Sequence, residues 1–311
     1  MLEKTTNLKK IDMHIHAHNT PPHPEKLLAD MKKSGIYGGC IFSNQPKRMN
    51  EKEGTDFEER IKEVLAWTKD YEDRLFPVVW IHPYEDGIME HIHAAVEQGV
   101  LGFKIICTDF YVYEDRCMKV LEKIAALNKP VFFHSGILWG GGASKYNRPL
   151  HWEALAEIEN LRFSMGHCSW PWHDECIAVY GAFLDAVASK ANAPEMFFDL
   201  TPGTPLIYRE DLLRKLFTVG YDVPDNIMFG SDTGAEEYSS DWVAQWLKVD
   251  GQIMDGLGVN EEIQNKIYYD NVLRFLGRKE KDFTHIRPSG DSFQSWNPGV
   301  VREKNMTYTE K

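Results

Sequence analysis

Eight short, continuous apolar runs recur along the chain at intervals of roughly 25 to 40 residues, about the length of one βα unit. They are Ile11–His16 (IDMHIH) and residues 39–44 (GCIFSN), 76–82 (FPVVWIH), 101–106 (LGFKII), 130–134 (PVFFH), 162–167 (RFSMGH), 196–200 (MFFDL) and 226–232 (NIMFGSD). A strand covered on both faces reads as such a run rather than as an alternation of apolar and polar residues. Segments with apolar residues three and four apart lie between most of them: 25–33, 56–67, 114–127, 175–189 and 210–217, with 241–253 and 261–276 after the last run. Alternating βα units imply a parallel sheet, and eight imply closure into a single (β/α)8 TIM barrel. An open doubly wound sheet would carry a glycine-rich phosphate turn after its first strand, and HIHAHNTPPHP is not one. The barrel is expected over residues 1–277. Residues 278–311 are expected to form a polar C-terminal extension that wraps the barrel, contacts another copy or is poorly ordered.

Composition narrows the function classes. The 311 residues carry 35 Lys and Arg against 47 Asp and Glu, a net charge of -12, which argues against binding a phosphate backbone. No apolar run reaches the roughly 18 residues of a membrane span, and the first residues, MLEKTTNLKK, lack the apolar core of a signal peptide. Five cysteines without a CxxC spacing are expected to be reduced thiols in a cytoplasmic protein.

In such a barrel the chemistry gathers where strands end. The first run ends in His14 and His16, the third at His82, the fifth at His134, the sixth at His167 and the eighth at Asp232. The fourth carries Lys104, and the seventh holds Asp199 and Thr201. Side chains at i and i+2 of a strand share a face, so His14 and His16 suit two ligands on one metal. A second pair, His91 and His93, lies in a helical pattern, where i and i+2 diverge, and is expected on a solvated face. Imidazole and carboxylate donors suit one divalent metal, zinc first, with manganese, iron or cobalt as alternatives. Such a site makes bound water acidic near neutrality, and Asp232 can serve as ligand, base or both.

These motifs, with GFKI, PVFFHSG, MGHCSWPWHDE, MFFDLT, IMFGSDTG and the closing IYYDNVLRFLG, resemble the amidohydrolase superfamily over residues 10–277. They resemble most its amidohydrolase 2 branch, the aminocarboxymuconate-semialdehyde decarboxylase-like metal-dependent hydrolases. The resemblance implies a metal at His14, His16, His134 and Asp232, with Asp232 shuttling a proton. It implies that His167 polarises substrate or stabilises developing charge. It leaves Lys104 three roles: a carboxylated bridge between two metals, a point charge for a substrate carboxylate, or a structural lysine.

Arg148, Trp170 and His82 are further candidates for substrate contact. The glycine-bearing loop 139–148 is a candidate lid. Asp199 is expected to support a neighbour rather than touch substrate, and Cys107 and Cys168 to be inert. The expected function is metal-dependent hydrolysis of a small, carboxylate-bearing lactone, amide or ester. The alternative on the same site is non-oxidative decarboxylation or hydration of a ring or muconate-type acid. A PHP-type phosphoesterase would need further His and Glu ligands, and a non-catalytic barrel would not need the full set of site positions. The expected partner is a small-molecule substrate, with neither nucleic acid nor membrane, and a homodimer is compatible with the resemblance and the extension.

Overall fold

A computed structural model describes residues 8–18, 21–140, 142–203 and 205–278. The expected extension over 278–311 therefore lies, apart from Arg278, outside the described residues. Strands and helices alternate: β1 (Ile11–His16), α1 (Pro24–Lys33), β2 (Gly38–Phe42), α2 (Phe57–Thr68), β3 (Leu75–Trp80), α3 (Ile88–Glu97), β4 (Gly102–Ile105), α4 (Asp115–Ala126) and β5 (Pro130–Phe133). A 3-10 segment, Pro149–Glu157, occupies the next helical position. Then come β6 (Arg162–Met165), α5 (His173–Ser189), β7 (Glu195–Asp199), α6 (Arg209–Thr218), β8 (Ile227–Met228), β9 (Thr233–Gly234) and α7 (Ser240–Gly256).

The sheet runs in chain order, and each pairing among the described residues is parallel. β8 pairs with β7, and β9, just past the end of the eighth run, pairs with β1, so the ring closes through two short pieces of one interrupted strand. Between them, the Met13 amide donates to the Phe229 carbonyl (3.0 Å) and the Asp232 amide to the His14 carbonyl (3.0 Å). The expected (β/α)8 barrel is present, with the eighth strand interrupted where it was read as continuous.

Two apolar clusters hold it. Helix faces such as Cys117, Val120, Leu121 and Ile124 of α4 pack onto the outer side of the sheet with Ile105 and Phe133. Met13, Cys40, Phe42, Phe132, Phe197 and Met228 form an inner cluster. The closing helix caps that cluster, with Phe275 ring-to-ring at 4.9 Å from both Phe132 and Phe197. This last helix was expected to be unbroken over 261–276. Instead α8 (Glu261–Asn265) and α9 (Asn271–Phe275) flank a π turn, Lys266–Asp270.

β1 carries one extra residue. Asp12 lies opposite Gly39 and Ile15 opposite Ile41, three positions against two. Bulges of this kind re-aim side chains beside active sites. Met13 belongs to the inner cluster and Ile15 to the outer one, so His14 is turned inward by the bulge to join His16. Asp12 is left buried, accepting from the His14 and Ser231 amides (3.2 and 2.9 Å) and from the Tyr238 hydroxyl (2.9 Å).

Candidate active site

His14, His16, Lys104, His134, His167, Trp170 and Asp232 meet in one cavity of about 330 Å³ at the C-terminal ends of the strands. Donor atoms of His14, His16 and Asp232 lie within 4.8 Å of one another. Asp232 Oδ1 is 3.2 Å from His16 Nε2 and 3.5 Å from His14 Nε2. Asp232 adopts a left-handed backbone (φ 60°), a conformation unusual for a residue other than glycine. Burial raises its carboxyl pKa, but the His16 hydrogen bond and the surrounding imidazoles outweigh that and hold it well below the usual carboxylate range.

His14 is oriented from behind. Its Nδ1 lies 2.8 Å from Asp199 Oδ2 and 3.1 Å from Thr201 Oγ1. Thr201 in turn donates its hydroxyl and its amide to Asp199 Oδ1. Burial, then the Lys104 charge, lower the His14 pKa to about 4 despite Asp199. Asp199 stays ionised: burial raises its carboxyl, but His14 and its own hydrogen bonds win. The neutral imidazole therefore keeps its proton on Nδ1, toward Asp199, and presents the Nε2 lone pair to the cavity. Metal-binding histidines are held in this way by a carboxylate. The supporting role expected of Asp199 is what the structure shows.

Lys104 is buried, with Nζ 3.3 Å from His14 Nε2 and 5.1 Å above the Phe42 ring. Burial lowers its pKa to about 8, against the pull of Asp199 and Asp232. His134, expected as a fourth ligand, lines the cavity but is not in the three-residue donor group. Its Nε2 is 3.2 Å from the Ile137 carbonyl, so Nε2–H donates there and the lone pair falls on Nδ1.

His167 also has a left-handed backbone (φ 58°), as do Cys168 and Ser169 (φ 43° and 60°). Ser135 holds this turn, donating to the Gly166 carbonyl (2.7 Å) and meeting the Ser169 hydroxyl (2.8 Å). His167 Nδ1 lies 3.3 Å from the Thr201 carbonyl. With Nδ1–H donated there and burial lowering its pKa, His167 offers the cavity a lone pair rather than a proton. It stabilises negative charge only after taking up a proton.

Two expected substrate contacts are elsewhere. Arg148 lies outside the cavity, its Nε 2.9 Å from Glu175 Oε2 and its guanidinium 5.5 Å from the Trp172 ring. A carboxylate already supplied by α5 occupies it. His82 is buried with both ring nitrogens engaged, by the Tyr84 amide (3.1 Å) and Asp109 Oδ1 (2.9 Å), and it does not line the cavity. The loop 139–148 is anchored at its far end, where Asn147 donates to the Cys107 carbonyl (2.7 Å). Of the second HxH pair, His93 is solvated beside Glu97, whereas His91 stacks on Phe57 at 4.6 Å. Trp139, read as part of the candidate lid, lines the cavity, and so do Ser135, Ile137 and Leu138, which went unread because nothing in a loop's sequence states where it folds back. All five cysteines are buried and free.

The sequence profile of the amidohydrolase family (amidohydrolase 2) matches residues 11–278. The chain belongs to that family. Solved structures share its fold at low identity. An uncharacterized TIM-barrel protein of Bordetella bronchiseptica is 17% identical with a TM-score of 0.63, covering 87% of this chain and 99% of that one. A probable 2-pyrone-4,6-dicarboxylic acid hydrolase of Acinetobacter baumannii, with citric acid bound, is 14% identical with a TM-score of 0.59 (86% and 99%). A 2,6-dihydroxybenzoate decarboxylase of Rhizobium is 14% identical with a TM-score of 0.57 (86% and 98%). A local match to the ferrochelatase of Vibrio cholerae, 36% identical over 66 residues, spans 21% of this chain and 19% of that protein. The donor set of this amidohydrolase fits a divalent metal: two imidazoles and one ionised carboxylate converge, and a buried carboxylate aims one imidazole at the others. Among the described residues no helix is long and apolar enough to cross a membrane.

Proposed function

We propose that the chain is a metal-dependent hydrolase of a small, carboxylate-bearing lactone, amide or ester. One observation carries the reading. The Nε2 atoms of His14 and His16 and the Asp232 carboxylate converge on the cavity floor, and Asp199 fixes the tautomer of His14. These residues would hold the ion, with zinc as the first choice and manganese, iron or cobalt as alternatives. When bound, it supplies a Lewis acid and lowers the pKa of water.

The chain's own groups do the rest. Asp232, kept ionised, accepts the proton of the attacking water at its carboxylate. His167, with its lone pair toward the cavity, takes that proton on from Asp232, faces the developing negative charge as the imidazolium and gives the proton to the leaving group. Lys104 is a cation on a buried stem and fits a substrate carboxylate as a point charge. Trp170 and Ile137 form an apolar wall that keeps water from the flank of the substrate.

The aromatic wall also favours a second reading, decarboxylation of a ring acid, and the similarity to the Rhizobium decarboxylase agrees with it. The metal-loaded protein, given pyrone lactones and aryl esters of ring acids in 18O-labelled water, separates the two. Hydrolysis puts one label into the carboxylate product, and Asp232→Asn slows it by about 10²-fold or more. Carbon dioxide released from dihydroxybenzoates, with no label uptake from any ester or lactone, would establish the decarboxylase instead.

A further inference from the structure

The apolar wall of the cavity continues past its rim. Trp139 lines the cavity yet is 76% exposed, and its ring stacks on Trp170 at 6.3 Å with 25° between the planes. Tyr208 lies 6.2 Å from the same Trp170 ring. It ends a 3-10 turn, Leu206–Tyr208, whose middle residue, Ile207, is 83% exposed. Nine large apolar residues are conspicuously exposed among the described ones; two of them, Trp139 and Tyr208, meet the Trp170 ring, and two more, Leu206 and Ile207, share the turn that Tyr208 ends. A contiguous apolar surface beside a polar cleft marks a binding site more often than chance exposure. Aromatic faces in particular hold flat ligands. The cavity itself is small, near the bottom of the ~300–1,000 Å³ range of ligand sites. A polar floor, an apolar wall and an apolar shelf thus follow one another outward.

We infer that Trp139, Trp170 and Tyr208 form an outer subsite for the distal part of an amphipathic substrate. The polar, reacting end lies on the floor, and a flat apolar body two or more rings long runs out across the shelf. The inference rests on the reading of the floor as the reacting centre. The shelf selects for length, so Tyr208, which is outside the cavity lining, affects only ligands that reach it.

Calorimetric titration of the full, metal-loaded chain tests this with four probes: benzoate, biphenyl-4-carboxylate, benzyl alcohol and 4-phenylbenzyl alcohol. Each biphenyl compound should bind roughly 10-fold tighter than its one-ring partner, the scale expected of one ring on an aromatic face. Tyr208→Ala should reduce that advantage several-fold and leave benzoate unchanged. Trp139→Ala should abolish the advantage. Both residues are exposed, and a circular dichroism melt confirms that the variants fold.

If the alcohols show the length advantage and the acids do not bind, the subsite stands and the carboxylate part of the proposed function falls. The inference is overturned if two rings bind no better than one, or if neither biphenyl probe binds at millimolar concentration. It is also overturned if the advantage survives both variants. A second copy of this chain seated on the shelf would overturn it as well, seen as a dimer in light scattering that Ile207→Ser dissociates.

Discussion

At the scale of single residues, the site depends on which atom of each histidine carries the proton. Asp199 sets this for His14, the Thr201 carbonyl for His167 and the Ile137 carbonyl for His134. Asp199→Asn keeps the shape but turns an acceptor into a group that can present N–H to His14 Nδ1, which favours the wrong tautomer. We expect metal affinity, read by competition with a chelating dye, to weaken 10- to 100-fold with an unchanged melting temperature of the metal-free protein. An unchanged affinity would remove Asp199 from the account. At this scale the sequence was informative wherever a strand end carries its own chemistry: the positions of His14, His16 and Asp232 were legible. It misplaced Arg148 and His82. The spacing that puts a residue near a strand end says nothing about Glu175 or Asp109, the partners that hold those two side chains elsewhere.

At the scale of elements, strand positions were legible because buried parallel strands leave unbroken apolar runs, and each observed strand falls within a residue or two of its run. The exception is the eighth, which is strand only at Ile227–Met228 and, just past the run's end, at Thr233–Gly234, with Phe229 through Asp232 between them. The β1 bulge was not legible, since nothing in IDMHIH marks the one extra residue between Asp12 and Ile15. Asp12 stabilises that bulge by tying the His14 and Ser231 amides and Tyr238 together in a buried place. Asp12→Ala strands two amides and a hydroxyl and should cost about 2–4 kcal/mol in urea unfolding, whereas Asp12→Asn, which can still accept from the amides, should cost under about half of that. Equal losses would mean that bulk, not hydrogen bonding, is what Asp12 supplies. Between α6 and α7, Arg209 and Asp250 form a buried two-pronged pair at 2.7 Å on each prong. Arg209→Ala leaves Asp250 buried and unpaired, and about 3–5 kcal/mol should be lost in the same assay.

At the scale of the whole molecule, the barrel buries several neutral histidines, and this ties its stability to pH. Burial lowers the His173 pKa to about 4, the Cys168 carbonyl it donates to notwithstanding. Its folded value lies below the unfolded value near 6.5. The stabilisation that its neutral form allows is therefore complete above about pH 6.5 and is lost as the pH falls toward 4, by about 3 kcal/mol in all. His14, His134 and His167 are shifted in the same direction by burial first. The metal-free protein should thus unfold on mild acidification, and His173→Asn should flatten the limb between pH 6.5 and 4 in urea melts. An acid limb of the same depth in that variant would place the effect elsewhere.

The central claim is that this barrel mouth is a metal centre, and metal content measures it directly. The protein is purified, stripped, reconstituted with zinc or manganese, dialysed and analysed by mass spectrometry. Wild type should retain about one equivalent per chain, and the His16→Ala, Asp232→Asn double variant, still folded, should retain under about a tenth. A wild-type chain that takes up no metal, or a double variant that keeps a full equivalent, would contradict the account.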